Sequence, residues 1–424
     1  MTKPILRPRL AGSSAALLIS ASALWAQDGG QNVPLTFGIS QSFQALNNAN
    51  FAAPSSGSTG LSVTSLSFGS SSSTPTDTLS FDASVGLGVQ RGSDGAIDTS
   101  INTPTLSLNY GRRRPSTALN LYASYIVETL DQLRSPLDFV NDQGQIILPS
   151  NPADLVSTGL KQDISAGGSL ELGRDARFGL TLTASGEQIS YSETTDPALR
   201  DIDRAEVGVT GRFNYSPQGS VSLGVSAEHQ LTLDTPKDVV RDTRDVSLGT
   251  SYDVSPVLSL GGFVKYEVVD ETGQAQTRNP RAQISADYTY LTGSLSIQVG
   301  DRDSALTWRQ SLPSGGISAT LSHGLDDSGN GTLDQVGVNF NQPINDVSGL
   351  NMGLFYSSDN GSTTSPDVTS SVLVVSYNHR LTKDWDMSLG ANLRMRDPSS
   401  NDATTSANSA GVFLTVSRSL NFLR

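Results

Sequence analysis

Histidine, the residue most often found at the centre of acid–base and nucleophilic chemistry, occurs three times in this 424-residue chain, as His229, His323 and His379. Asp234 with His229, and Asp326 with His323, are spaced so that an acid could orient an imidazole. Catalysis needs a nucleophile, a base and an orienting group that converge. His229 and His323 fall near the ends of strand-like segments that lead into long loops, His379 falls near a short turn, and many segments separate them. No catalytic motif surrounds any of them, so they read as solvated loop residues and no enzyme activity is expected.

A second candidate is Asp326-Asp327-Ser328-Gly329-Asn330-Gly331-Thr332-Leu333-Asp334, with oxygen ligands at alternate positions and glycine at the sixth, like the first part of a calcium loop. The twelfth position is Gly337, where a bidentate acid should stand. A polar hairpin turn accounts for the stretch more simply. Cysteine is absent, which removes thiolate metal sites and a disulfide framework. No cofactor or metal centre is expected.

The remaining reactive groups are charges set at alternate positions. Val221, Leu223, Val225 and Ala227 are apolar, while Ser222, Gly224, Ser226 and Glu228 between them are small or polar. Leu79, Phe81, Ala83, Val85, Leu87 and Val89 alternate in the same way with Ser80, Asp82, Ser84, Gly86, Gly88 and Gln90. A period of two over about ten residues is a strand with one apolar and one wet face. Taking the apolar set as one face assigns Asp82, Glu128, Glu171, Glu187, Glu206, Glu228 and Asp287 to the other. Arg212, Lys265, Arg309, Arg394 and Arg396 go with them. Rings of acid and base on one face of closed strands bias the ions that pass along it.

Hydrophobic residues make up 36% of the chain, and no apolar run beyond the N-terminus approaches the roughly 20 residues a spanning helix needs. Strands escape that test because only every second residue must be apolar. The net charge of −13 makes a poor nucleic-acid binder. Residues 1–26 read as a secretory signal: a basic stretch with Lys3, Arg7 and Arg9, an apolar and small-residue stretch from Ala11 to Leu24, and cleavage after Ala26 or Ala23. Residues 27–78 form an N-terminal segment that is a possible first hairpin, and 79–424 are expected to form a transmembrane β-barrel.

Along the chain, short turns such as Ser216-Pro217-Gln218-Gly219 and Ser255-Pro256-Val257 alternate with longer polar loops such as Tyr191 to Asp203, Asp270 to Pro280 and Ser357 to Thr369. Tyr110, Tyr215, Tyr252, Tyr290 and Phe340 stand where strands enter short turns, and Phe178 and Trp385 where strands leave them. Turn asymmetry with an aromatic girdle is the pattern of an all-β, antiparallel, up-and-down transmembrane barrel. The count is about 18 to 20 strands, for a diameter of roughly 35 to 40 Å. The longest connection, Leu130 to Leu160, carries the apolar pieces Leu137 to Val140 and Ile146 to Leu148. It either folds inward as a constriction or lies outside as an external loop.

The leader, the hairpin repeat and the last strand, Gly411 to Arg424, resemble bacterial outer-membrane β-barrel porins. The phrase Tyr252-Asp253-Val254-Ser255-Pro256-Val257-Leu258-Ser259-Leu260-Gly261 is similar to large porins associated with exopolysaccharide systems. Such proteins end in an aromatic residue read by the barrel assembly machinery; here Phe422 is followed by Leu423 and Arg424, although it keeps step with Val412, Leu414 and Val416. The resemblance implies a Gram-negative outer membrane, contact with its lipid and lipopolysaccharide, and passive diffusion of small hydrophilic solutes or ions. It also raises the homotrimer common among porins. The alternatives are a barrel of a polysaccharide export system and a surface-exposed structural or adhesive β protein.

Overall fold

The computed structural model describes residues 34–49, 55, 57–92, 95–130, 152–194, 196, 199–233, 238–325, 331–360, 368–398 and 406–422. The signal-peptide assignment and the segments Leu137 to Val140 and Ile146 to Leu148 lie outside them. Twenty strands follow one another: β1 (Leu35–Asn47), β2 (Ser58–Ser73), β3 (Asp77–Arg91), β4 (Ile97–Arg114), β5 (Thr117–Thr129), β6 (Leu160–Leu172), β7 (Phe178–Ser192), β8 (Asp201–Asn214), β9 (Gly219–Leu233) and β10 (Val239–Ser255). They continue as β11 (Leu258–Glu271), β12 (Thr277–Tyr290), β13 (Gly293–Gly300), β14 (Ser304–Ser311), β15 (Gly316–Leu325), β16 (Thr332–Asn345), β17 (Ser348–Asn360), β18 (Val368–Arg380), β19 (Trp385–Pro398) and β20 (Ala407–Phe422).

Each strand pairs antiparallel with the next, and β1 closes the ring on β20 through thirteen residue pairs from Leu35↔Phe422 to Asn47↔Ala410. The two early segments whose periodicity is brief, β1 and β2, are thus strands of the barrel wall, paired from Leu35↔Ser70 to Asn47↔Ser58. In a closed ring of twenty, every strand has a paired neighbour on both sides.

Directly opposed residues of antiparallel strands share a face, so the pairings carry face assignments around the ring. On β17, Met352, Leu354 and Tyr356 are exposed while Phe355 and Ser357 between them are buried. From Leu354 this face continues by pairing through Leu373, Leu393 and Ala410, and it includes Leu223, Val246, Leu248 and Val264 on the far side, each about half exposed. This is the outward apolar belt of a transmembrane barrel. Aromatic residues rim its short-turn end: the Phe178 and Phe213 rings lie 4.9 Å apart, Arg418 sits over Trp385, and the Tyr290 hydroxyl donates to Gln310 (2.8 Å) and accepts from the Trp308 indole.

Because faces are set by register, replacements at adjacent positions of β20 separate them. Leu414 lies outward opposite Leu389 and Phe43, and Thr415 lies inward with its hydroxyl on Ser42. Leu414→Arg should cost about 2–4 kcal/mol at mid-belt and Thr415→Arg about 1 kcal/mol or less. Denaturant unfolding of the protein refolded in bilayers checks this; equal costs would contradict the face assignment.

Candidate permeation pathway

The inner face divides into two unlike walls. On β16 to β20 it is buried and carries an apolar patch of Leu333, Phe355, Val372, Val374 and Phe413 among polar residues such as Asn339, Asn351, Ser376 and Arg394. A side chain at Gly390 would collide with the Phe413 ring, so the glycine is what allows that ring to lie flat against the wall. On β7 to β12 the inner face is charged and open.

What covers the apolar patch comes from across the barrel. The connection between β5 and β6 returns as a short 3-10 turn, Pro152–Leu155, and Leu155 and Val156 form one buried cluster with Phe355, Val372 and Val374. The base of this segment packs as a second cluster of Leu130, Ala153 and Leu199 with Tyr191. Strands β18 and β19 lie six or more positions around the ring from β5 and β6, so the segment reaches them only through the interior. The inward alternative for the long connection therefore holds for residues 152–157.

Polar contacts lock it there. Arg394, buried on β19, donates to the Leu130 carbonyl (3.0 Å). Arg396 forms a two-bonded ion pair with Asp196 of the β7–β8 connection, and the Ser157 hydroxyl joins the same carboxylate. Lys161 donates to Asp154 (2.6 Å) and so does the Tyr191 hydroxyl (2.9 Å). Arg394 and Arg396 were assigned to the wet face by alternation, and the tertiary structure uses both as anchors of the folded-in segment.

The other sequence-assigned charges fall mainly on the open wall. A single row of directly paired inner residues runs Asp82, Ser107, Ser124, Ser165, Glu187, Arg204, Gln230, Arg241 across β3 to β10. Arg204 lies between Glu187 (3.5 Å) and Glu228 (4.0 Å). Arg212 reaches over Gly179 to Glu171 (3.7 Å), and its guanidinium lies close enough to Gly179 that a side chain there would have to displace it slightly. Lys265 bridges Asp245 (3.3 Å) and Glu267 (3.5 Å), Arg281 holds the other oxygen of Glu267 (2.9 Å), and Ser226 donates to Asp245. Glu206 stands directly opposite Glu228 and has no such counter-charge. Glu128 faces Lys161, Asp287 faces Ser259 and Ser296, and Arg309 faces Ser294 and Ser318.

Around Glu206, Glu228, Arg241, Lys265 and Arg281 the open wall forms a cleft of about 590 Å³. Arg204, Arg241, Asp245, Glu267 and Arg281 of this wall belong to the same alternation as the charges assigned from sequence, and the period of two would have found them. Asp154 and Asp196 lie in irregular connections, where no periodicity points inward.

The histidines do not join this surface. His229 pairs with Asp242 (2.7 Å) and His323 with Asp334 (2.6 Å), both on the outward face near the loop end. Asp234 and Asp326, the acids the sequence offers them, lie outside the described residues, and the acids that meet them come from the next strand. His379 shares the Ser348 hydroxyl (2.8 Å) with Tyr377. Of the calcium-loop stretch, 326–330 lie outside the described residues, while Asp334 is held by His323. Among the described residues no group of three or more acids and histidines is placed to hold a metal.

No protein-family model matches the chain, and no curated protein matches it. Solved structures do, among them three from Pseudomonas aeruginosa: OccK7 at 10% identity over 92% of this chain and 99% of that one, with a TM-score of 0.41; OpdQ at 9% over 93% and 100%, with 0.41; and the siderophore receptor PirA at 9% over 93% and 81%, with 0.45. These are likenesses between barrels at low identity.

The anchors make separable demands. Arg396→Ala removes a charge-assisted pair and should cost about 1.5–3 kcal/mol. Val156→Asp places a carboxylate against Phe355 and Val374 and should release the segment more completely. Both variants should raise single-channel conductance in a planar bilayer above that of the parent. Unchanged conductance in both would mean that the segment does not narrow the lumen.

Proposed function

We propose that this chain is a passive channel of a Gram-negative outer membrane, which admits small hydrophilic solutes along the charged wall of β7 to β12 and favours cations. The observation that carries the reading is the division of one lumen: a buried wall whose apolar patch is covered by Leu155 and Val156, facing an open wall lined by Glu206, Glu228 and their neighbours. Twenty strands about 4.8 Å apart and tilted enclose a ring about 40 Å across, more than side chains alone can fill. The folded-in segment takes one side and leaves the path on the other.

The preference for cations follows from which charges are already balanced. Arg204, Arg212, Lys265 and Arg281 each lie against a carboxylate, so their fields are largely cancelled. Glu206 stands directly opposite Glu228, whose counter-charge is the Arg204 guanidinium 4.0 Å away, so two carboxylates share one base there and hold a further counter-ion. A passing cation is stabilised there, and an anion is repelled.

Polysaccharide export would call for aromatic platforms along the path. Tyr122 and Phe263 are exposed on the inner face but lie on well-separated strands, β5 and β11. They do not form a track, and the small-solute reading accounts better for a wall made of charge.

Reversal potentials in a KCl gradient test the proposal. The purified protein should show stable open steps with cation preference, and replacing Glu206 and Glu228 by Gln should lower the cation-to-anion permeability ratio about twofold or more. A barrel that stays closed at all voltages, or a selectivity indifferent to both replacements, would overturn it.

A further inference from the structure

We propose that the outward face of β10 to β12 is a binding site for one acylated lipid with a phosphate head group in the outer leaflet. The proposal rests on the reading of this barrel as membrane-spanning and concerns a face that the solute path does not use.

The surface is built in rows. Val225, Val246, Tyr266 and Pro280 lie side by side across β9 to β12, and Leu223, Leu248, Val264 and Ala282 form the next row toward the turn end. All of them except Val225 line an apolar groove of about 490 Å³. The groove exists because the wall steps down beside it. Strands β13 and β14 have eight residues each, which at about 3.3 Å per residue and a tilt near 45° reach roughly 19 Å, short of the roughly 25 Å apolar belt. Pairing of β12 with β13 ends at Gln283↔Gly300, so residues 277–282 of β12 form a step above its neighbour. Pro280 sits on that step, where a missing N–H costs no ladder bond, and Asp301 closes it by accepting from the Ala282 N–H (3.1 Å) while its own N–H donates to the Ala282 carbonyl.

The row on the loop side of the groove changes character. Ala227, Arg244, Val268 and Arg278 are paired in order, which places two exposed arginines on one face, two strands and roughly 10 Å apart, directly above the apolar rows. Asp301 of the β13–β14 turn lines the groove's third side, and Arg302 follows it in the same turn. None of the three arginines has a hydrogen-bond or ion-pair partner among the described residues. Of the acids nearby on this face, Asp242 is taken by His229, and Asp270 lies one row farther toward the loops, opposite Asp242.

Two unpaired guanidiniums above a hydrocarbon-lined groove, with a third in the adjoining turn, select a particular chemistry. The groove faces the membrane, so its occupant is an acyl chain; the arginines stand at the loop end of that chain, where the head group lies. A guanidinium offers parallel N–H donors that match phosphate oxygens two at a time, and it does so best where water is thinned at the edge of the apolar belt. A neutral head group would leave the three positive charges uncompensated.

Native mass spectrometry of the detergent-purified full-length protein, titrated with bis-phosphorylated lipid A, tests this. The parent should bind it in preference to dephosphorylated lipid A, and the triple variant Arg244→Ser, Arg278→Ser, Arg302→Ser should bind about tenfold more weakly. Ala282→Trp, which fills the groove and leaves every charge, should also weaken binding, whereas Arg418→Ser at the turn end should not. Equal binding by parent and triple variant would overturn the proposal, as would equal binding of the two lipids. Full competition by inorganic phosphate would overturn the assignment to a lipid. Heat-modifiable gel mobility reports that each variant is folded. Conductance is read in the same preparations: a closed barrel that binds the lipid would refute the channel and leave this site standing.

Discussion

Hydrocarbon offers no partner to a backbone N–H or carbonyl, and that single constraint shapes most of this molecule. A sheet in such surroundings must pair every strand on both sides, and here it does so by joining β1 to β20 over the whole length of the first strand. Closure explains why Phe422 sits beside Leu35 at the short-turn end, and why alternation is kept with few interruptions from β1 to β20. The exceptions are informative. Pairing slips by one residue at Ser84/Gly86, Asp253/Ser255 and Pro343/Asn345, and two of the three slips lie next to short turns, where an extra residue adjusts the strand's exit without opening the wall. At the step above β13, where the ladder stops early, a proline and an aspartate side chain stand in for the missing strand.

Inside the ring the constraint is reversed. Water satisfies the wall, and the question becomes which groups water is denied. The segment at 152–157 takes Val156 completely out of solvent and buries Arg394, and it is held by apolar contact at its tip and by charge at its flanks. Neither would suffice alone. Leu155 and Val156 supply burial with little direction, while the Leu130 carbonyl on Arg394 and Asp196 on Arg396 set where the segment lies. The opposite wall has no such cover, and its charges pair laterally across strands, leaving Glu206 against Glu228. One interior thus holds a packed side and a wet side, and the asymmetry defines a path displaced from the barrel axis.

Nearly all of the architecture was legible in the order of residues, because a period of two is a local property. Leu79 to Val89 and Val221 to Ala227 declare their faces without reference to any other strand, and turn length alone separates the two ends. The same rule groups Glu171, Glu187, Glu206, Arg212, Glu228 and Lys265, and strand pairing keeps them on one face of the sheet. Alternation does not state a partner, however. It assigns Arg394 and Arg396 to the wet face as it does Arg309, yet those two meet residues more than 190 positions away, in connections that carry no period. The pairings of His229 with Asp242 and His323 with Asp334 were hidden for a related reason, since the register of a hairpin depends on where its loop ends. The groove of β10 to β12 was hidden as well. Its rows assemble from strands up to 60 residues apart, and it is open only because β13 and β14 are short. Periodicity along one strand dictates which way a side chain faces; which distant group it meets there depends on how twenty strands close and on what folds into the space they enclose.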